Sequence, residues 1–397
     1  MKAMKNHCSC CELGKARKRR RGEEEEDQDT TPKDRLSRLP DFIIHHILSF
    51  LDTKSAVQTS VLSRVWRCAW KHVPVLDLRS ESFKRYSRFQ LYVDKVLSLR
   101  YPVNLHKLSY LSEKDMSLSF LIPMKKRDYA QFVRAIEYAL RHDTQHLSIN
   151  LNHRLHYDEY YESPNLFSTT LNCNLKTLEL DNIATDIRFL SFGFRTLSTL
   201  KLGGCSLFFH HEEDLDPFSN LPCLQDLAVI ESFNRLPQHL SEMRFKVSGL
   251  QLLSLVLESA DFCKIEVCAP KLKSFRFRED DDGETFISLV LSAPSLDHAD
   301  ISVYPHISVH GHECVKERLV SLFRGLHNVE SLTLHSILLK VLSDLDAFLE
   351  QQPSPFTRLK LLKLPSTSIH YKVANYFFKG SSCAKPVIEL FMRKISY

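Results

Sequence analysis

The chain has 397 residues, 43% hydrophobic and 25% charged, and its 53 Lys and Arg outnumber its 48 Asp and Glu for a formal net charge of +5. That composition supports a sizeable core in one extended domain with a smaller one beside it, and it argues against a disordered or fibrous chain. No apolar run nears the roughly 18 residues that span a bilayer, and Met1 to Cys11 lacks the apolar stretch of a secretory signal, so no membrane partner is expected.

Eleven cysteines, an odd number without regular spacing, read as reduced thiols of an intracellular protein. Only 10 glycines leave little material for phosphate-cradling loops. Residues 1–33 read as a disordered tail in which Lys15, Arg17, Lys18, Arg19, Arg20 and Arg21 run directly into Glu23, Glu24, Glu25, Glu26, Asp27 and Asp29. The basic block is a candidate nuclear import signal, which puts the protein in the nucleus, the cytoplasm or both. The acidic run opposes phosphate binding within about one Debye length, roughly 8 Å, so no nucleic-acid partner is expected.

Structure is expected to begin near Asp34. From Asp41 to Leu51 the residues Ile43, Ile44, Ile47, Leu48 and Leu51 recur at three- and four-residue steps, which places them on one face of a short helix, with Pro40 suited to its first turn. Asp52 or Thr53 can cap a second helix carrying Ala56, Val57 and Val61, and a third turn holds Val65, Trp66, Ala69 and Trp70. Three helices in about forty residues bury too little surface to stand alone. Their remaining apolar face needs a partner or the following domain, and spacing leaves a docking module and a mere helical cap as equal readings.

Resemblance separates them. The runs Asp34-Arg35-Leu36-Ser37-Arg38-Leu39-Pro40-Asp41, His46-Ile47-Leu48-Ser49-Phe50-Leu51, Thr53-Lys54-Ser55-Ala56-Val57, Thr59-Ser60-Val61-Leu62-Ser63-Arg64 and Trp66-Arg67 resemble the F-box of the plant F-box/leucine-rich-repeat family, with Val65 and Ala69 as departures. Val73-Pro74-Val75-Leu76-Asp77-Leu78 and, after it, Phe89 to Arg100 are also similar to that family. The resemblance implies an F-box over residues 34–78 that docks to a Skp-type adaptor and through it joins a cullin-RING ubiquitin ligase. Leu39 and Pro40 match the family's adaptor contacts, with Ile44, Ile47, Leu48 and Leu51 sharing the work between core and interface.

Downstream, residues 79–145 read as a helical connector with irregular first repeats: strand candidates at Leu105-Leu108-Tyr110 and Leu147-Ile149-Leu151, and between them a helix with Phe132, Val133, Ile136, Ala139 and Leu140 that Asp128 can cap. Residues 146–397 carry a Leu-x-x-Leu-x-Leu pattern starting at Leu175, Leu197, Leu224, Leu252, Leu272, Leu296, Val329 and Leu359, in steps of 22, 27, 28, 20, 24, 33 and 30 residues. Such spacing belongs to leucine-rich repeats, the longer steps holding an extra helix or loop. A helix at Val373–Phe378 with Gly380 as its stop and a strand at Val387–Met392 read as the C-terminal cap, and the extra C-terminal domain of some relatives is not evident. The fold class is therefore α+β and multidomain, a small three-helix F-box followed by an α/β solenoid with a curved parallel sheet.

Residues alternating with the core leucines project from the concave face. Glu179, Lys201, Asp226, Glu258, Arg276, Arg278, His298, Asp300 and His335 are the candidates for holding a target protein. The acidic run Glu279, Asp280, Asp281, Asp282 and Glu284 reads as a repeat loop. For catalysis there are only fragments. His7, Cys8, Cys10 and Cys11 lack a second ligand pair at zinc spacing, and His210-His211-Glu212 and His310, His312, Glu313, Cys314 fall in connections between repeats. No nucleophile elbow, Walker loop or dinucleotide fingerprint is present. The expectation is a non-catalytic protein without metal or cofactor, either a ligase substrate receptor or an interaction scaffold unconnected with ubiquitin.

Overall fold

A computed structural model describes residues 36–112, 126–151, 174–186, 189–190, 193–208, 214–231, 233–234, 244–258, 264–279, 288–303, 312–366, 371–383 and 387–391. The tail block Lys15 to Arg21, the cysteines near His7, His210 to Glu212 and Asp280 to Glu284 lie outside the described residues. The chain separates into two compact units, Met1–Pro40 and Asp41–Tyr397. Of the first, Leu36–Arg38 form a single 3-10 turn, after which the Leu39 N–H donates to the Leu36 carbonyl at 3.4 Å.

The second unit opens with helices α1 (Asp41–Ser49), α2 (Thr53–Gln58) and α3 (Trp66–Ala69). Asp52 caps α2, accepting from the Ser55 N–H at 3.0 Å and the Ser55 hydroxyl at 2.6 Å, so one of the helix's orphan donors is satisfied. Ile44, Leu48, Ala56, Trp66, Ala69, Trp70 and Val73 are buried and make the small core of this unit's start. Val61 and Val65 are not part of it: Val61 is 88% exposed. The period that placed them inward breaks where α2 passes into a 3-10 turn at Thr59–Val61.

Strand β1 (Val75–Arg79) follows, then α4 (Tyr86–Leu99), β2 (Lys107–Ser112), α5 (Lys126–Arg141) and β3 (His146–Leu151). Helix α5 starts before Asp128, which is therefore inside the helix and not its cap. The strand that ends the F-box segment is already the first of the long sheet, since β1 pairs in parallel with β2 from Val75↔Lys107 to Arg79↔Leu111. Two ties hold it to the helices. The Asp77 N–H donates to the Thr53 hydroxyl at 2.8 Å, and Arg100, buried after α4, donates to the carbonyls of Trp70, at 3.0 Å, and of Val73.

From β4 to β14 each strand of the long sheet is followed by short strands that pair elsewhere. β4 (Thr177–Asp181) leads to β5 (Ala184–Asp186), and β6 (Thr199–Gly203) to β7 (Ser206–Phe208) and β8 (Asp214–Leu215). β9 (Asp226–Ile230) leads to β10 (Phe233–Asn234) and β11 (Arg244–Ser248). β12 (Ser254–Glu258) leads to β13 (Lys264–Cys268), and β14 (Ser274–Arg278) to β15 (Ser288–Ser292). After β16 (His298–Ser302) the connections turn helical: α6 (His312–Gly325) before β17 (Ser331–Leu334), α7 (Ser336–Asp344) and α8 (Asp346–Gln351) before β18 (Leu361–Pro365), and α9 (Tyr371–Phe378) before β19 (Val387–Phe391).

The long sheet has twelve strands in the order β1-β2-β3-β4-β6-β9-β12-β14-β16-β17-β18-β19, beside a three-stranded sheet β10-β7-β5 and a four-stranded sheet β15-β13-β11-β8. Every recorded pairing is parallel, and each strand contributes two inward positions, such as Leu200 and Leu202, Leu255 and Leu257, or Leu362 and Leu364, all 0–1% exposed. The repeat pattern thus does what its alternation requires: one face is core, the other open. The two smaller sheets are a feature the sequence reading lacked. His312, Glu313 and Cys314 open the helical connection between β16 and β17. Gly380 takes no left-handed conformation; a Cβ there would come within 2.7 Å of the Ser354 carbonyl oxygen, so close approach is what requires glycine.

Arg100 is expected to matter more than its neighbours. Replacing it with Leu nearly keeps volume but removes the guanidinium bonds to two carbonyls, of which Trp70 retains the Val73 N–H, and this should cost about 1–3 kcal/mol. Thermal unfolding should register that loss, whereas Arg88→Leu on the exposed side of α4 should leave the midpoint unchanged.

Candidate functional site

Two surfaces of the second unit have the character of binding sites. The first lies on α1 to α3. Ile44 and Leu48 are fully buried, while Ile47 and Leu51 on the same helical stretch are partly open and Phe42 and Phe50 are 69% and 75% exposed. Val61, Leu62 and Val65 add further exposed apolar area. Single exposed apolar residues are ordinary, but seven large ones within residues 42–65 form an unusual density for a segment that already has its own core.

The expected adaptor set is therefore divided. Ile44 and Leu48 are corrected to core residues that support the face, because an i, i+4 pair on the most apolar stripe is what the fold buries first. Ile47 and Leu51 stand at the surface, and Leu39 and Pro40 belong to the first unit, where Leu39 is half-buried and Pro40 exposed. Phe42, Phe50, Val61, Leu62 and Val65 are exposed apolar residues that the sequence reading did not place on this surface. The available signal was a large apolar residue off the buried stripe.

The second surface is the solvent face of the long sheet, the one expected to be concave. The predicted residues Glu179, Lys201, Asp226, Glu258, Arg276, Arg278, His298 and Asp300 all occupy outward positions of its strands, and His335 directly follows β17. Register brings most of them together. Arg276 Nε and Arg278 Nη2 reach the same oxygen of Asp300 at 3.1 and 3.2 Å, and His335 Nε2 lies 2.8 Å from the other. Both arginines also approach Glu258 Oε1 at 3.7 Å. Burial raises the Asp300 carboxyl, but the His335 hydrogen bond and the two guanidinium groups outweigh it and hold the group below its ordinary range.

On the other side of the sheet's middle, Lys201 Nζ is 3.6 Å from Asp181 Oδ1. Here burial dominates and the Asp181 carboxyl is raised in spite of Lys201. Gly203 makes room for it: a Cβ at Gly203 would fall 2.1 Å from Asp181 Oδ1. Among the described residues Glu179, Asp226 and His298 take part in no ion pair.

Nothing on either surface forms a nucleophile and base, and among the described residues no three His, Cys, Asp or Glu could share a metal ion. The described cysteines are free thiols, with Cys205 buried and its thiol pushed up to about 12. No described helix is long and apolar enough to cross a membrane. A cavity of about 570 Å³ opens beside α6, lined by Val290 and Leu291 of β15, by Lys316 and Val320, and by Phe348 of α8. Lys316 lies over the Phe348 ring at 5.3 Å and bonds Glu313 at 2.6 Å, so its charge is already engaged.

Residues 36–78 match the F-box domain. The chain is similar to the F-box/FBD/LRR-repeat protein At5g22700 of Arabidopsis thaliana, 26% identical over 336 residues that cover 81% of this chain and 70% of that one. It is 28% identical to the F-box/LRR-repeat protein At5g02910 of the same plant over 340 residues, 85% of this chain and 67% of the other, and 26% identical to the F-box/FBD/LRR-repeat protein At5g22660 over 335 residues, 81% and 69%. A helical F-box running without a break into a parallel leucine-rich sheet defines the class, an F-box/leucine-rich-repeat protein. The chain thus carries an F-box domain and is similar over most of its length to F-box/leucine-rich-repeat proteins of that plant.

The Asp300 cluster has a pH signature. Its folded value lies below the unfolded one of about 3.9, so its stabilising contribution is complete above that pH and disappears as pH falls through the lower folded value. Asp300→Asn should therefore lower the unfolding midpoint at neutral pH, and the gap from the unmodified protein should close in acid. A gap that persists unchanged at low pH would mean the carboxylate's charge is not what the cluster uses.

Proposed function

We propose that this protein is the substrate-recognition subunit of an SCF-type cullin-RING ubiquitin ligase, non-catalytic itself, whose F-box docks a Skp-type adaptor and whose repeat face holds the target protein. The observation that carries this is the exposed apolar face of Phe42, Ile47, Phe50, Leu51, Val61, Leu62 and Val65 on a helical segment whose core is complete without them. Apolar area of that kind is maintained in a soluble domain when a partner covers it. The F-box domain supplies the class of partner, and the long sheet supplies a second, separate surface.

Ile47→Asp combined with Leu51→Asp tests the docking half. Each side chain lost from an interface centre removes about 1.5–3 kcal/mol, so capture of a plant Skp-type adaptor on co-expression should fall by roughly tenfold or more, with the unfolding midpoint held. Undiminished capture would favour an interaction scaffold outside the ubiquitin system. For the basic block Lys15 to Arg21 we propose nuclear entry, shared with the cytoplasm. A fluorescent protein carrying residues 1–33 should accumulate in nuclei and lose that accumulation when the five arginines and lysines from Arg17 to Arg21 become alanine.

A further inference from the structure

The solvent face of the long sheet mixes ionic and neutral polar side chains, and its central row of outward positions turns apolar only on β9 and β12. In the central row of outward positions Lys201, Ala228, Val256 and Arg276 are successive register partners on β6, β9, β12 and β14. Two apolar side chains therefore sit between two cations. Ile230, two residues beyond Ala228 on β9, adds to them, and its neighbour on β6 is Gly203, which presents no side chain. Ala228, Ile230 and Val256 are all partly exposed. They make an apolar window about two strands wide, or about 10 Å at the usual 4.8 Å spacing.

The window's two borders are electrostatically unlike. On the β14 side Arg276 and Arg278 are neutralised by Glu258 and Asp300, leaving little field for an incoming charge. On the β4 side Lys201 pairs with Asp181 but does not offset the burial that raises its carboxyl, and among the described residues Glu179 and Asp226 of β9 have no ion-pair partner. Among the outward strand positions of β4, β6 and β9 one lysine stands with three carboxylates, on a chain whose overall charge is +5. The local sign is thus opposite to the global one, which selects for a cationic partner near this border and disfavours an acidic one.

We propose that this window is the anchoring site for an extended peptide segment with a large apolar residue and, three positions away, a Lys or Arg. The apolar side chain covers Ala228, Ile230 and Val256, and the cation reaches Glu179 and Asp181. The spacing follows from geometry: Glu179 on β4 and Ala228 on β9 are two strands apart, about 10 Å. In an extended chain of the polyproline type, residues three apart lie on one face about 9 Å from each other, whereas the alternation of a β-strand would turn the second away from the sheet. This rests on the reading of the sheet face as the target-binding surface and names the chemistry that face selects.

The test uses the full chain co-expressed with a Skp-type adaptor and a display library of random dodecapeptides as the probe. Selected peptides should carry a basic residue three positions from a large apolar one. Their binding should fall by roughly tenfold or more with Val256→Arg, and also with Glu179→Lys combined with Asp181→Asn, while Arg88→Ala, on the exposed side of α4, leaves it unmoved. Repeating the selection on the Glu179→Lys, Asp181→Asn protein should enrich acidic residues in place of the basic one, a reversal that a misfolded variant could not produce. Peptides with acidic flanks on the unmodified protein, peptides indifferent to Val256→Arg, or no enrichment at all would overturn the proposal. Adaptor capture by the same preparation is read separately: its loss counts against the ligase assignment, whereas intact capture without such peptides counts against the window alone.

Discussion

The parallel ladder fixes nearly everything else in this protein. Because side chains alternate strictly between faces, one register decides at once that Leu200, Leu227 and Leu255 share a core and that Lys201, Ala228 and Val256 share a surface. A single-residue slip of β14, for example, would bury Arg276 and turn Phe275 and Phe277 out to water. The cost of burying an unpaired guanidinium is far larger than the gain from any one contact, so the register is held by what it excludes as much as by what it packs. The ionic cluster around Asp300 and the apolar window are both consequences of that constraint.

How much of this was readable depends on the range over which the information is stored. The Leu-x-x-Leu-x-Leu motifs are local, and each one found in the sequence is a strand of the long sheet, from Leu178 and Leu180 to Leu362 and Leu364. The Asp52 cap was equally local and is present. The outer strands were missed because several have only two or three residues, as at Asp214–Leu215 and Phe233–Asn234, too short for any periodicity.

The candidate surfaces divide along the same line. Outward placement of Glu258, Arg276 and Asp300 follows from alternation, but their mutual neutralisation does not, since Arg276 and Asp300 stand 24 residues apart and meet only through register. In the helical segment the apolar stripe was legible while its sidedness was not. Ile44 and Leu48 satisfy the same spacing as Ile47 and Leu51, and only the position of Trp66, Ala69 and Trp70 decides which pair is covered. A short helix offers two plausible faces, and its neighbours choose between them.

The pairing of β1 with β2 carries a mechanical implication. Since the F-box ends inside the first strand and Arg100 and Thr53 brace it there, no hinge separates the docking helices from the sheet. The window on β9 and β12 lies five to six strands further on, about 25 Å along the ladder. On the proposed reading the protein is in effect a ruler, whose zero mark is the docked partner and whose reading is fixed by the number of repeats. Inserting or deleting one repeat between β1 and β9 would preserve both surfaces yet displace a captured segment by about one strand spacing, shifting which of its lysines come within range of whatever chemistry the partner delivers.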